Sequence, residues 1–195
     1  MLTTTQTIAW LNNFADKIET NKAYLNDLDT PIGDGDHGSN MVRGLTAVKA
    51  TLADKSDADL TTVFKAAALA LISKVGGAAG PLYGTAFLEM AKASKNGDAD
   101  LDPLLTAALA GLKKRGGAVA GDKTLIDVWT PVTAAVQADQ LTPAVISEAV
   151  ERTKPMVAKK GRASYLGDRS IGHLDPGAVS SGYLFTALLE TVAQS

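Results

Sequence analysis

Residues 29–52 read DTPIGDGDHGSNMVRGLTAVKATL, an acidic, glycine-rich loop running directly into an amphipathic stretch. In the second half Met41, Leu45, Val48 and Leu52 recur at three- and four-residue steps, which places them on one face of an α-helix. In the first half Asp29, Asp34 and Asp36 crowd around Gly33 and Gly35. Two unit charges about 4 Å apart repel by about 4 kcal/mol at an effective dielectric of roughly 20. Converging carboxylates therefore oppose folding unless a cation joins them, and a hard divalent metal is the simplest remedy.

The helical period extends along the rest of the chain. Ile8, Leu11, Phe14 and Ile18 mark a helix before the acidic loop; Leu60, Val63, Ala67 and Leu71, then Leu82, Ala86 and Met90, mark two after it. A fifth helix opens at Asp102-Pro103, a cap followed by proline, and ends at Gly116-Gly117. Leu125, Val128, Val132 and Val136 give a sixth. Thr142-Pro143 and Asp175-Pro176 open a seventh and an eighth, the last carrying Val179, Tyr183 and Ala187. The pattern predicts an all-α fold: one domain spanning residues 1–195, built as an eight-helix antiparallel up-and-down bundle or barrel.

Four unusual loops fall on alternate connections of that bundle. They are the acidic loop, Gly76-Gly77-Ala78-Ala79-Gly80-Pro81, the stretch from Gly116 to Thr124, and the stretch from Gly161 to Gly177. Other connections, such as Asn96-Gly97 and 137–141, read as plain polar turns. Alternate connections of an up-and-down bundle lie at one end, so the four loops are expected on one rim. Glycine turns leading into helices offer backbone N–H groups and a partial positive charge to an anion. Mg²⁺ characteristically bridges one or two carboxylates to phosphate oxygens. An acidic loop facing glycine loops therefore suggests a metal-bridged nucleotide.

Composition narrows the field. With 195 residues and no cysteine, the chain has no disulfide, thiolate metal site or cysteine nucleophile. Nineteen basic and 21 acidic residues, a net charge of −2, leave no basic footprint for nucleic acid. The N-terminus MLTTTQT lacks the basic and apolar segments of a signal peptide, and no apolar run reaches membrane-spanning length. A cytoplasmic protein without nucleic-acid or membrane partners is expected.

Three familiar motifs are approached and rejected. Gly33-Asp-Gly35-Asp-His-Gly38 has the dinucleotide spacing, but no strand precedes it and its aspartates would face the pyrophosphate. A calcium loop starting at Asp34 would place Ser39 where glycine belongs and Leu45 where glutamate belongs. Gly117-Ala-Val-Ala-Gly121-Asp-Lys-Thr is one residue short of a P-loop and has Asp122 in the lysine position, which leaves Lys123 near phosphate as an expectation. His37 reads either as a capping or core histidine or as a phosphate donor or support for a metal ligand. Arg162 reads either as a surface charge or as an anion contact; Arg169 fits a surface charge better, and His173 a structural role or a partner contact. Leu125 reads as core or as a cover for an adenine face.

Four ordered motifs carry a family resemblance: Gly-Asp-Gly-Asp-His-Gly at 33–38, Gly-Gly-Ala-Ala-Gly-Pro-Leu-Tyr-Gly at 76–84, Gly-Asp-Lys-Thr at 121–124, and the run from Gly161 to Gly177. From about Leu25 to its end the chain resembles the nucleotide-binding L-subunit family of dihydroxyacetone kinases. The resemblance implies an eight-helix barrel with ADP or ATP at one rim and two Mg²⁺ held by Asp29, Asp34 and Asp36. It implies phosphate contacts from His37, Gly38, Ser39 and Asn40 and from Gly77, Ala78, Ala79 and Gly80. Gly116, Thr124, Leu125, Arg162, Asp175, Pro176 and Gly177 would surround the rest of the nucleotide. Ala79 stands where the family carries serine, so one side-chain contact to phosphate is in question.

The resemblance also implies partners. A large substrate domain is not seen in this sequence, which looks like the phosphotransferase-system branch. There, tightly held ADP acts as a coenzyme: a phosphohistidine-carrying subunit rephosphorylates it, and its γ-phosphate passes to dihydroxyacetone on a separate substrate-binding subunit. No side-chain nucleophile is expected, and neither His37 nor His173 should become phosphorylated. The alternatives are the nucleotide domain of an ATP-exchanging dihydroxyacetone kinase or of a fatty acid kinase, and a regulatory module that senses nucleotide.

Overall fold

The computed structural model describes residues 1–94 and 100–193, and none of these forms a strand. Among the described residues nine α-helices and a 3-10 segment broken by a kink at Gly167 (φ 54°) follow one another: α1 (Thr4–Thr20), α2 (Lys22–Asp29), α3 (His37–Leu52), α4 (Leu60–Lys74), α5 (Ala79–Ala93), α6 (Leu101–Gly116), α7 (Ile126–Gln137), α8 (Pro143–Glu151), the kinked 3-10 helix (Arg162–Ser170) and α9 (Pro176–Ala193). The expected all-α bundle is present, but the count of eight is not. Each of the eight expected helices has a counterpart. The additions are α2, which buries only Leu25 and Asp29 and so leaves too short an apolar pattern to read, and the 3-10 helix inside the last loop.

Local signals explain most boundaries. Thr3 and Gln6 form a reciprocal capping box at the start of α1. Thr142 accepts from Val145 N with Pro143 at the first helical position, and Asp175 Oδ2 accepts from Ala178 N at 2.7 Å. The expected start of the fifth helix is corrected: Asp100, not Asp102, occupies the N-cap. Pro103 fits within the first turn because its missing N–H would have no intrahelical acceptor there. Gly117, at φ 60°, ends α6 in the left-handed conformation that glycine adopts without strain. The Asn96-Gly97 turn lies outside the described residues.

The helices close a ring. α1 packs on α3, α3 on α4, and so on through α8 to α9, which returns to α1, while α2 packs on α3 and α9. One buried core runs through this ring. Phe64 stacks on Phe87 at 6.2 Å, and Trp129 meets Phe185 edge-on at 4.9 Å. Trp10, 1% exposed, also donates its indole N–H to the Leu184 carbonyl at 2.8 Å, which ties α1 to α9. Large side chains of this kind contribute about 1.5–3 kcal/mol each when fully buried, so the ring has ample apolar area to hold its rim loops. Among the described residues no helix is long and apolar enough to cross a membrane.

Candidate metal and nucleotide site

The acidic loop is anchored at its first aspartate. Asp29 is the last residue of α2 and is buried. Its Oδ2 accepts from the backbone N–H groups of Asp36 at 3.0 Å and His37 at 3.3 Å, so it holds the loop to the start of α3. Asp34 and Asp36 are exposed, and Asp29, Asp34 and Asp36 each bring one oxygen to within 4.8 Å of the others. This all-oxygen donor set suits Mg²⁺, whose ligand oxygens lie about 3–4 Å apart at bond lengths of about 2.1 Å. Modest side-chain rotation closes the remainder.

The sequence-expected rim exists as one open pocket of about 570 Å³. Its walls include Asp29, Asp34, Asp36, His37 and Asn40 from the acidic side, and Gly77, Ala78 and Ala79 from the turn before α5. Gly116, Thr124, Leu125, Arg162, Asp175, Pro176 and Gly177 complete the same enclosure. Three expected residues do not line it. A Cβ on Gly38 would come within 2.2 Å of the Lys22 carbonyl, and one on Gly80 within 2.4 Å of the Val75 carbonyl; both glycines permit close backbone approach instead. Ser39 faces α2, exchanging hydrogen bonds of 3.0 Å with Asn26 through its amide and hydroxyl.

Opposite charges face one another across the opening. α5 begins without a side-chain cap, after Gly77 turns the chain at φ 64°, and such an N-terminus attracts anions. Arg115, Lys160 and Arg162 add positive charge to the walls. Arg162 Nη1 reaches Asp34 Oδ2 at 2.8 Å, joining the last loop to the acidic one. Asp175 is half-buried on the wall of the same pocket. Desolvation pushes its carboxyl up to about 7, although the Ala178 amide and Lys123 oppose the shift; Asp127 and Asp29 add to it. His37 is pushed below the ordinary imidazole range by burial, against the opposing pull of Asp29 and Asp36.

The DAK2 domain profile matches residues 31–190. The chain belongs to the DAK2 domain family. It is 55% identical, over 94% of both chains, to "PEP-dependent dihydroxyacetone kinase 1, ADP-binding subunit DhaL" of Listeria innocua. It is 48% identical to "PTS-dependent dihydroxyacetone kinase, ADP-binding subunit DhaL" of Lactococcus lactis, over 99% of this chain and 100% of the relative. The crystal structure of the C. freundii dihydroxyacetone kinase in complex with AMP-PNP and Mg²⁺ superposes with a TM-score of 0.74 at 26% identity. That match covers 95% of this chain and 33% of the kinase.

Within this DAK2 domain some residues differ from their sequence reading. Lys123 lies on the pocket wall, but its ammonium turns away from any phosphate role. Its Nζ donates to the carbonyls of Thr153, Lys154, Met156 and His173, pinning the last loop with a buried cation. His173 thus enters through its backbone, and Arg169 does not line the pocket. Arg115 and Lys160 were legible as basic residues placed directly before Gly116 and Gly161. Asp127 was hidden among the apolar residues of α7; its carboxylate shapes the adjacent loop by accepting from Gly121 N and Thr124 N.

Proposed function

We propose that this chain is the nucleotide-binding subunit of a phosphotransferase-system-dependent dihydroxyacetone kinase, one domain that holds ADP with two Mg²⁺ at the rim. The observation that carries the reading is the opening of the three-aspartate cluster and the uncapped α5 N-terminus into the same pocket. Bound metal would neutralise phosphate oxygens and the three carboxylates together. Asp29 orients the loop, α5 and the basic wall receive phosphate charge, and Leu125 with Asp175–Gly177 encloses the rest of the nucleotide. Phosphoryl transfer requires mainly such positioning and electrostatic stabilisation, so no phosphorylated side chain is required.

The donor is then a phosphohistidine-carrying subunit, and the acceptor is dihydroxyacetone held by a second subunit. Both would approach the open rim. The sequential ring contacts also support an antiparallel order for the eight ring helices, with α2 as an appended short helix. The deciding experiment is mass spectrometry of what dialysed protein releases on denaturation, followed by phosphotransfer with the purified partner subunits. Retained ADP, phosphorylated in place, supports the coenzyme role. An empty site that turns over free ATP would assign the chain to the exchanging branch instead.

A further inference from the structure

A chain of buried hydrogen bonds leads from the pocket into the core. His37 Nε2 lies 3.0 Å from Ser180 Oγ. Ser180 Oγ lies 2.8 Å from Tyr83 Oη and 3.1 Å from the Gly177 carbonyl. Tyr83 Oη lies 2.9 Å from Ser181 Oγ, which lies 3.0 Å from Trp129 Nε1. Tyr83, Trp129, Ser180 and Ser181 are each 1% exposed or less, so each of their protons needs an acceptor within the protein.

The direction of the chain follows from its far end. An indole N–H can only donate, so Ser181 accepts from Trp129. Tyr83 is the acceptor beside Ser181, and it takes the Ser181 proton. The Tyr83 proton then goes to Ser180, and the Ser180 proton to the Gly177 carbonyl one helical turn back. Ser180 is left with one lone pair for His37. This arrangement puts one proton in each of the five contacts. The reverse polarity at His37 would set Ser180 Oγ against the Gly177 oxygen with no proton between them.

The geometry points to His37 as the Nε2–H tautomer, with Tyr83 and Ser180 as positioning residues that leave its Nδ1 lone pair as an acceptor at the pocket. In this neutral form the ring does not donate to a phosphate oxygen. It accepts from a proton-bearing group, a water or hydroxyl brought by a bound metal or by substrate. The tautomer is a property of the free protein, whereas its use in the pocket rests on the nucleotide reading above.

Two-bond ¹H–¹⁵N spectra of histidine-labelled protein, free of metal and nucleotide, test the assignment. The chain has two histidines, and His173→Asn identifies the His37 signals. The wild type should show protonated Nε2 and bare Nδ1; a protonated Nδ1 overturns the proposal without recourse to any further variant. Ser180→Ala, checked for native helicity, should give mixed tautomers and about a tenfold lower turnover with the partner subunits, with ADP affinity unchanged. Tyr83→Phe should shift the tautomer population in the same direction. An unchanged tautomer in Ser180→Ala would remove the positioning role. Failure of the wild type to bind ADP in a Mg²⁺ titration would sink the nucleotide reading and leave the measured tautomer standing.

Discussion

Arg162 and Asp34 form an ion pair of 2.8 Å between the last loop and the acidic loop, two segments separated by most of the chain. The Arg162 side chain is 63% exposed, and an exposed pair of this kind contributes about 0–1 kcal/mol. Its importance lies in placement, because it sets a guanidinium beside the three-aspartate cluster and on the pocket wall. Arg162→Ala should leave the melting temperature within about 2–4 °C of wild type and weaken Mg-ADP binding about tenfold or more, as expected for loss of a charge-assisted contact. Calorimetric titration and a thermal melt together check this. A large loss of stability with intact ADP affinity would show the pair to be structural.

The three carboxylates should make stability depend on metal. Without a cation Asp29, Asp34 and Asp36 repel, and with one they are held together. Chelation should therefore lower the melting temperature, and Asp36→Asn should reduce that dependence by relieving part of the repulsion. Asp36 is suited to the test because its own side chain makes no capping bond to α3. The variant is expected to match or exceed wild-type stability in chelator, by up to about 1 kcal/mol, and to lose most of the gain on adding Mg²⁺. A melting temperature indifferent to chelator in the wild type would break the coupling.

Gly33 provides a separate probe of the same cluster. A Cβ there would fall 2.0 Å from Asp29 Oδ1, so alanine must displace the carboxylate that accepts from Asp36 and His37. Gly33→Ala should weaken Mg²⁺-dependent nucleotide binding by about tenfold or more while far-UV circular dichroism stays native. Wild-type affinity in the variant would mean that the Asp29 position is not needed.

The sequence made the site more legible than the count of helices. The rim could be read because its loops carry their own chemistry: Asp29, Asp34 and Asp36 in one segment, and glycines at three others. The cap-plus-proline pairs at Thr142 and Asp175 worked for the same local reason. α2 escaped because its two buried residues, Leu25 and Asp29, sit at helical spacing but only one of them is apolar, so no apolar repeat marks the helix. The role of Lys123 could not be read because its four carbonyl partners come from residues 153–173, a contact that only the closed ring creates. Tyr83 and Ser180 were unreadable for a related reason: they lie on α5 and α9 and meet only across the core.

Asp175 should give the metal-free protein a pH-dependent stability. Its carboxyl is pushed up to about 7 in the fold, first by desolvation, against about 3.9 in an unfolded chain. Between these values the native state binds more protons than the unfolded state, so this group's contribution falls as pH rises from about 4 to about 7. Above pH 7 the loss is complete and of order a few kcal/mol. Asp175→Asn cannot ionise, yet it retains an oxygen that can accept from Ala178 N, and asparagine is as good an N-cap as aspartate. In chelator the variant should therefore be more stable than wild type at pH 8, with the gap closing toward pH 5. Urea denaturation of both proteins at the two pH values measures the difference directly, and titrations common to both cancel. An equal gap at pH 5 and pH 8 would show that the Asp175 carboxyl titrates normally, and that the rim accommodates its charge without the aid of a bound ligand.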